Sequence, residues 1–218
     1  MENQEKNVYF VSGIDTDTGK SYATAYLARQ WRAAGINTIT QKFIQTGNVG
    51  HSEDIDLHRR IMGTGMLPED CEGLTFPEVF TYPASPLLAS RIDRRSINFA
   101  KMQAATATLA SRFDRVLLEG AGGLMVPLTA DLLTIDYVAQ QGYPLIFVTS
   151  GKLGSVNHTL LSFEAIERRN IPLAMVAYNL FPDLPDKTIA TDTEQYLRDY
   201  VARHFPAASF VTIPCLHV

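Results

Sequence analysis

The sequence predicts an α/β fold, a single domain built on a mostly parallel sheet with helices on both faces. Three observations point there. Short runs rich in β-branched and aromatic residues alternate with longer helical patterns, as successive βαβ units do. Several of those runs are apolar on both faces, as strands covered from both sides must be. The composition is that of an ordinary globular protein, 218 residues with 46% hydrophobic and 19% charged, enough to bury one sizeable core.

In chain order, Val8 to Ser12 is the first strand, and Gly19 precedes a helical stretch from Lys20 to Ala34. A second strand, Thr38 to Phe43, leads into a polar segment, Gln45 to Glu53, that holds two glycines. A helix follows near Asp54 to Met62. The segment Gly63 to Pro77 carries glycine, proline and acidic residues and reads as a long loop; loops of this length in a compact α/β domain are more often functional than accidental. Glu78 to Tyr82 is a weaker strand candidate. The second half reads as helix Asn98 to Ser111, strand Arg115 to Glu119, helix Leu132 to Gln141, strand Leu145 to Thr149, helix Asn157 to Arg169, strand Leu173 to Tyr178, helix Asp192 to His204 and strand Ser209 to Ile213. No repeat, low-complexity tract or linker divides residues 1–218.

Charge and composition exclude several classes of function. Nineteen basic against twenty-three acidic residues give a formal charge of -4 with no Lys/Arg cluster, so the basic footprint of a nucleic-acid binder is missing. No apolar run approaches the roughly 20 residues that cross a bilayer. Met1 to Asn7 is polar and lacks the features of a secretion signal, so a cytoplasmic location is expected. Cys71 and Cys215 stand far apart without partners and build neither a disulfide framework nor a zinc site. Ser85, Ser90 and Ser162 have no G-x-S-x-G elbow around them. His51 and His58 lack zinc-site spacing and read as solvated surface residues, and His158 lies beside a candidate anion site.

The strongest chemical signal is Gly13-Ile-Asp-Thr16-Asp17-Thr18-Gly19-Lys20-Ser21, placed between a strand and a helix. Such a loop turns backbone N–H groups and a helix N-terminus toward phosphate oxygens, while the lysine neutralises charge and the serine hydroxyl can ligate Mg²⁺. Five residues separate Gly13 from Gly19, one more than in G-x-x-x-x-G-K-[ST]. The fold expected is therefore of the P-loop NTPase type. Glu119 ends an apolar strand before Gly120, Gly122 and Gly123, at the sheet edge where open α/β folds bind ligands. Asp54 reads equally as a metal ligand and as an N-cap or first-turn acid. Lys42 reads as a rim lysine or as a group reaching a transferred phosphate. The loop Ser150 to His158 offers free N–H groups to an anion, or else a helix capped by Ser155. Asn179 reads a base edge or shapes a turn.

Together these stretches resemble the dethiobiotin synthetases, ATP-dependent enzymes of biotin biosynthesis. The resemblance runs from residue 8 to about 214 and is carried by the longer phosphate loop, Lys42 with Gln45-Thr46-Gly47, Asp54, Tyr82-Pro-Ala-Ser-Pro86, Glu119-Gly-Ala-Gly-Gly123 and Gly151-Lys-Leu-Gly-Ser-Val-Asn-His158. The last two are the most diagnostic. Phe43 departs from the proline that relatives often place after the lysine, and the region after Asn179 matches poorly. The resemblance implies that 7,8-diaminononanoate captures CO₂ as a carbamate, that ATP phosphorylates it, and that the second amine closes the ureido ring. It implies catalytic roles for Lys20, Lys42 and Thr16, ATP contacts from Asp17 to Ser21 with Asn179 and Pro214, and Mg²⁺ on Ser21, Asp54 and Glu119. Substrate contacts are implied for Thr46, Gly122, Ser155, Val156 and Asn157, the last three from the other subunit of a homodimer. Tyr196 and Tyr200 are both candidates for a substrate-side tyrosine.

Two competing classes are a P-loop ATPase switch that dimerises around ATP and an amidoligase that activates a carboxylate. The switch proteins usually carry a second lysine early in the phosphate loop, and Gly13 to Thr18 contains none. The amidoligases normally add a glutamine-hydrolysing domain, for which the chain has no length.

Overall fold

The computed structural model describes residues 7–180 and 187–215. Its frame is a six-stranded parallel sheet of β1 (Val8–Gly13), β2 (Thr38–Lys42), β5 (Arg115–Glu119), β6 (Leu145–Ser150), β7 (Leu173–Asn179) and β8 (Ser209–Ile213), in the order β2-β5-β1-β6-β7-β8. A second, two-stranded sheet pairs β3 (Gln45–Thr46) with β4 (Val79–Phe80). The helices are α1 (Lys20–Ala33), α2 (Glu53–Met62), α3 (Pro68–Cys71), α4 (Pro86–Ile92), α5 (Phe99–Arg112), α6 (Thr134–Gln141), α7 (Ser155–Glu167) and α8 (Lys187–His204).

Strand alternation divides the core in two. Val11, Leu117, Ile146 and Val148 meet Ala23, Leu27 and Ala28 of α1 and Met62 of α2. Their neighbours Phe10, Val116, Leu118, Leu145 and Phe147 face Met102 and Leu109 of α5, Tyr137 and Val138 of α6, and Phe163 and Ile166 of α7. Strands clad on both faces must be apolar at consecutive positions, which explains the unbroken runs in the sequence. The six strands of the main sheet lie where the sequence puts them, to within a residue at each end. Phe43 is buried and packs edge-on against Phe10, with ring centroids 5.6 Å apart.

The two long segments contain more order than their sequence suggests. Gln45–Thr46 is a strand, α3 interrupts the stretch read as a long loop, only Val79–Phe80 of the weaker candidate is a strand, and α4 falls where no element was expected. Gly63–Pro77 is a structural buttress. It supplies the outer edge of β2 with acceptors: Lys42 N–H donates to Thr75 O (2.7 Å) and Gln41 Nε2 to Leu74 O (2.8 Å). Asp70 holds it in place, accepting from Arg59 Nε and Nη2 at 2.8 and 2.7 Å and from Leu67 N and Thr75 Oγ1 at 2.7 Å each. Burial of Asp70 opposes its charge, but the Arg59, Leu67 and Thr75 hydrogen bonds outweigh it and hold the carboxyl below its usual range.

Asp70 thus binds its proton less readily when folded, so its contribution is present above the unfolded carboxylate value and lost as pH falls through the folded one. The melting temperature should fall below about pH 4. Asp70→Asn should start less stable and lose less over the same acid range, as read by calorimetry.

Candidate active site

The strand order reverses about β1, since β5 lies on one side of it and β6 on the other. In open α/β sheets ligands bind at the carboxyl ends of strands at such a point. There β1 runs into the phosphate loop and α1. A Cβ on Gly13 would lie 2.8 Å from Val148 O, so β1 and β6 meet there only with glycine. Gly19 has φ +78°, and a Cβ on it would fall 1.9 Å from Asn179 Nδ2. That amide donates to Thr18 O at 3.0 Å, so β7 braces the loop from beneath. Thr18 Oγ1 and Lys20 Nζ both donate to Asp15 O, at 3.0 and 2.7 Å, and Thr16 N donates to Asp15 Oδ1 at 2.7 Å. Lys20 is buried, and that burial, with the like charge of Lys42, lowers its pKa to about 8.

Beside the loop the ends of β2 and β5 bring Lys42 and Glu119 level, paired in register. Lys42 Nζ lies 2.8 Å from Glu119 Oε1 and 2.5 Å from Asp54 Oδ2. Ser21 Oγ is 2.7 Å from Asp54 Oδ1 and 2.8 Å from Glu119 Oε1, and its single proton serves one of them at a time. Asp54 sits in the first turn of α2, whose N-cap is Ser52, accepting from Ile55 N at 3.2 Å. Burial opposes the charge on both Lys42 and Glu119, but their mutual attraction outweighs it. The lysine is held above its ordinary range, with Asp54 helping, and the glutamate well below its own, with His58 helping.

A cavity of about 820 Å³ opens over these groups. Of the residues implicated by sequence, Thr16, Asp17, Gly19, Lys20, Ser21, Lys42, Thr46, Asp54, Glu119 and Gly122 line it. Thr18, within the loop, and Asn179, which braces it, are not among the lining residues. Pro214 follows Ile213, the strand partner of Asn179. Ser155, Val156 and Asn157 open α7 outside the cavity lining; Ser155 is the first helical residue rather than the cap, which falls at Gly154 (φ +95°). Tyr196 and Tyr200 are absent from the lining too, Tyr200 stacking on His204 at 4.1 Å. A larger cavity, about 1030 Å³, lies between α2 and the Gly63–Pro77 buttress and holds none of the phosphate-loop groups.

One residue differs sharply from its sequence reading. His51 is exposed as expected, whereas His58 is fully buried, with Nε2 2.8 Å from Glu119 Oε2. The available signal was its place one helical turn after Asp54, on the same face of α2.

Comparison with known proteins bears on this geometry. A family model described as AAA domain matches residues 7–215. ATP-dependent dethiobiotin synthetase BioD 2 of Pasteurella multocida is 44% identical over 211 residues, covering 97% of this chain and 99% of the relative. The chain belongs to the dethiobiotin synthetase family. The corresponding synthetase of Chlorobaculum tepidum is 46% identical over 197 residues, 90% of this chain and 82% of the relative. Among solved structures, a ParA family ATPase from Chlorobium tepidum superposes with a TM-score of 0.53 at 14% identity, covering 97% of this chain and 86% of that one. The chloroplast FtsY of Physcomitrella patens gives 0.53 at 15% identity, covering 98% and 61%. Those two share the P-loop fold with this synthetase. Among the described residues no helix is long and apolar enough to cross a membrane.

Proposed function

We propose that this chain, as one P-loop domain, converts 7,8-diaminononanoate, CO₂ and MgATP into dethiobiotin, ADP and phosphate. The observation that carries the reading is the convergence of Lys20, Ser21, Lys42, Asp54 and Glu119 on one cavity at the carboxyl end of the sheet. One amine of the substrate takes up CO₂ as a carbamate, and a carbamate oxygen attacks the γ-phosphorus, breaking its bond to the bridging oxygen and releasing ADP. The second amine then attacks the carbamoyl carbon, forming the second C–N bond as the C–O bond to phosphate breaks. Phosphoryl transfer brings two anions together and needs charge neutralisation, while carbamate formation and ring closure need a neutral amine held beside its carbon target.

Lys20 and Lys42 supply the positive charge. Lys20 follows the loop glycine at the start of α1 and faces the γ-phosphate; Lys42 stands nearer Asp54 and faces the carbamate. Thr16 at the loop crest and Gly122 opposite it flank the transferred group, with Thr46 on the diamine side. Asp17 to Ser21 enclose the ATP phosphates, while Asn179 and Pro214 stand at the adenine end. The hydroxyl of Ser21 and the carboxylates of Asp54 and Glu119 form a set of hard oxygen donors, which fits Mg²⁺. Among the described residues no three His, Cys, Asp or Glu form a site of their own, so these three side chains would hold Mg²⁺ together with ATP rather than alone. When bound, Mg²⁺ offsets charge on the β- and γ-phosphates.

The N–H of Ser155 donates to Lys152 O at 2.9 Å, while those that follow it in the first turn of α7 lack intrahelical partners and suit the substrate's carboxylate. The resemblance to the synthetases assigns Ser155 to Asn157 to the partner subunit of a homodimer, and their absence from their own chain's cavity lining accords with that assignment. The methyl ester of the diamine should therefore bind about tenfold more weakly, on the scale of one lost charge-assisted contact. Val156→Pro removes one donor and should weaken the acid more than the ester; equal affinities of acid and ester for the unaltered enzyme would remove this segment from the site. The reading as a whole is tested by phosphate release from MgATP, expected only with diamine and bicarbonate both present. Release without the diamine would support the ATPase-switch class instead.

A further inference from the structure

We infer that His58 is a positioning residue that aims one oxygen of the Glu119 carboxylate at the phosphate end of the cavity. The inference deepens the synthetase reading and rests on it. Glu119 is fully buried and its two oxygens are separately held. Oε1 meets Ser21 Oγ and Lys42 Nζ, each at 2.8 Å, while Oε2 meets, among the described residues, only His58 Nε2, also at 2.8 Å. A carboxylate gripped at one oxygen is free to turn about its last torsion. Gripped at both from opposite sides, it keeps Oε1 toward Ser21 and the loop.

His58 is well placed for this task and for no contact with substrate. It is fully buried, is absent from the cavity lining, and comes from the same face of α2 that delivers Asp54 one turn earlier. One helix thus supplies a carboxylate and the support of its neighbour. An ionised Glu119 only accepts, so the imidazole proton on that side sits on Nε2 and the ring donates. Among the described residues Nδ1 then has no hydrogen-bond partner. Packing alone does not call for an imidazole with one buried nitrogen unpaired, since an aliphatic side chain fills such a space without that cost. The single contact to Glu119 accounts for its presence. Groups that orient a metal's carboxylate ligands from behind act in this way, and losing one typically costs about 10–100-fold in metal affinity or activity.

The test compares His58→Gln, whose amide nitrogen reaches the position of Nε2, with His58→Asn, whose amide stops near Nδ1. Three quantities are read for each protein: melting temperature, ATP affinity by calorimetry with Mg²⁺ and with EDTA, and kcat and KM for the diamine. His58→Asn should lose about 10–100-fold in kcat and in ATP affinity with Mg²⁺, with EDTA affinity and diamine KM unchanged. His58→Gln should recover most of both losses. If His58→Asn fails to fold, His58→Leu, which fills the same apolar space, is read in its place. The inference is overturned if the folded variant matches wild type, if Gln falls as far as Asn, or if the affinity loss is equal in EDTA. A wild-type protein that makes no dethiobiotin defeats the functional reading instead, while the Mg²⁺-dependent affinities still decide the role of His58.

Discussion

Lys20→Gln is expected to fold normally and to lose about 10²–10³-fold in kcat, the scale of one preorganised electrostatic contact removed from a transition state. Lys20 is 7% exposed and held against Asp15 O at 2.7 Å, so its ammonium acts from a fixed position in a partly dehydrated site. Glutamine keeps a donor of similar reach and removes only the charge. The native cation is itself disfavoured by burial and by Lys42, which is why its pKa falls to about 8. A neutral replacement should therefore leave the melting temperature unchanged or raised. If the charge acts mainly on the migrating phosphoryl group, kcat and kcat/KM fall together. A folded variant with wild-type turnover would remove Lys20 from the chemistry.

Lys42→Met is expected to have the larger structural effect. Lys42 is 5% exposed and bridges Asp54 and a fully buried Glu119. Removing one partner of a buried ion pair leaves the other charge uncompensated, at a cost of about 3–5 kcal/mol. The carboxyl of Glu119, now held below its usual range by Lys42 and His58 against burial, should move up once the lysine is gone. Chemical denaturation should show the lowered stability, and activity should be lost with it. The double substitution Lys42→Met with Glu119→Gln separates the two effects: it should recover much of the stability, because no buried charge is then orphaned, and none of the activity. Equal stability of Lys42→Met and wild type would show that the ion pair contributes nothing to the fold.

How much of this was legible in the sequence follows from the range of the interactions involved. The six strands of the main sheet were readable because burial on both faces writes itself as continuous apolar runs. The phosphate loop was readable because its constraints are local: Gly19 is required by its own φ as well as by Asn179 across the sheet. Lys42, Asp54 and Glu119 were found as candidates at strand and helix ends, yet their mutual contact depends on β2 and β5 pairing in register, which no local pattern encodes. His58 was missed for a different reason. A lone histidine on a polar-looking helix has the pattern of a surface residue, and only the packing of α2 against α1 and β2 brings it to Glu119. The Ser85-Pro86 start of α4 was a local signal of a cap followed by proline and was available to sequence reading. The buttress role of Gly63–Pro77 was not, because it rests on backbone acceptors, Leu74 O and Thr75 O, whose donors on β2 lie far away in the chain.

The central claim is that this cavity transfers phosphate from ATP to a carbamate before the ring closes. It is tested most directly by turnover with ¹⁸O-labelled bicarbonate under conditions that outpace exchange with water, with the released phosphate analysed by mass. The carbamate oxygen that attacks phosphorus leaves with it when the second amine displaces phosphate. One ¹⁸O per turnover should therefore appear in phosphate, alongside dethiobiotin. Unlabelled phosphate, or phosphate formed at the same rate without the diamine, would contradict the account.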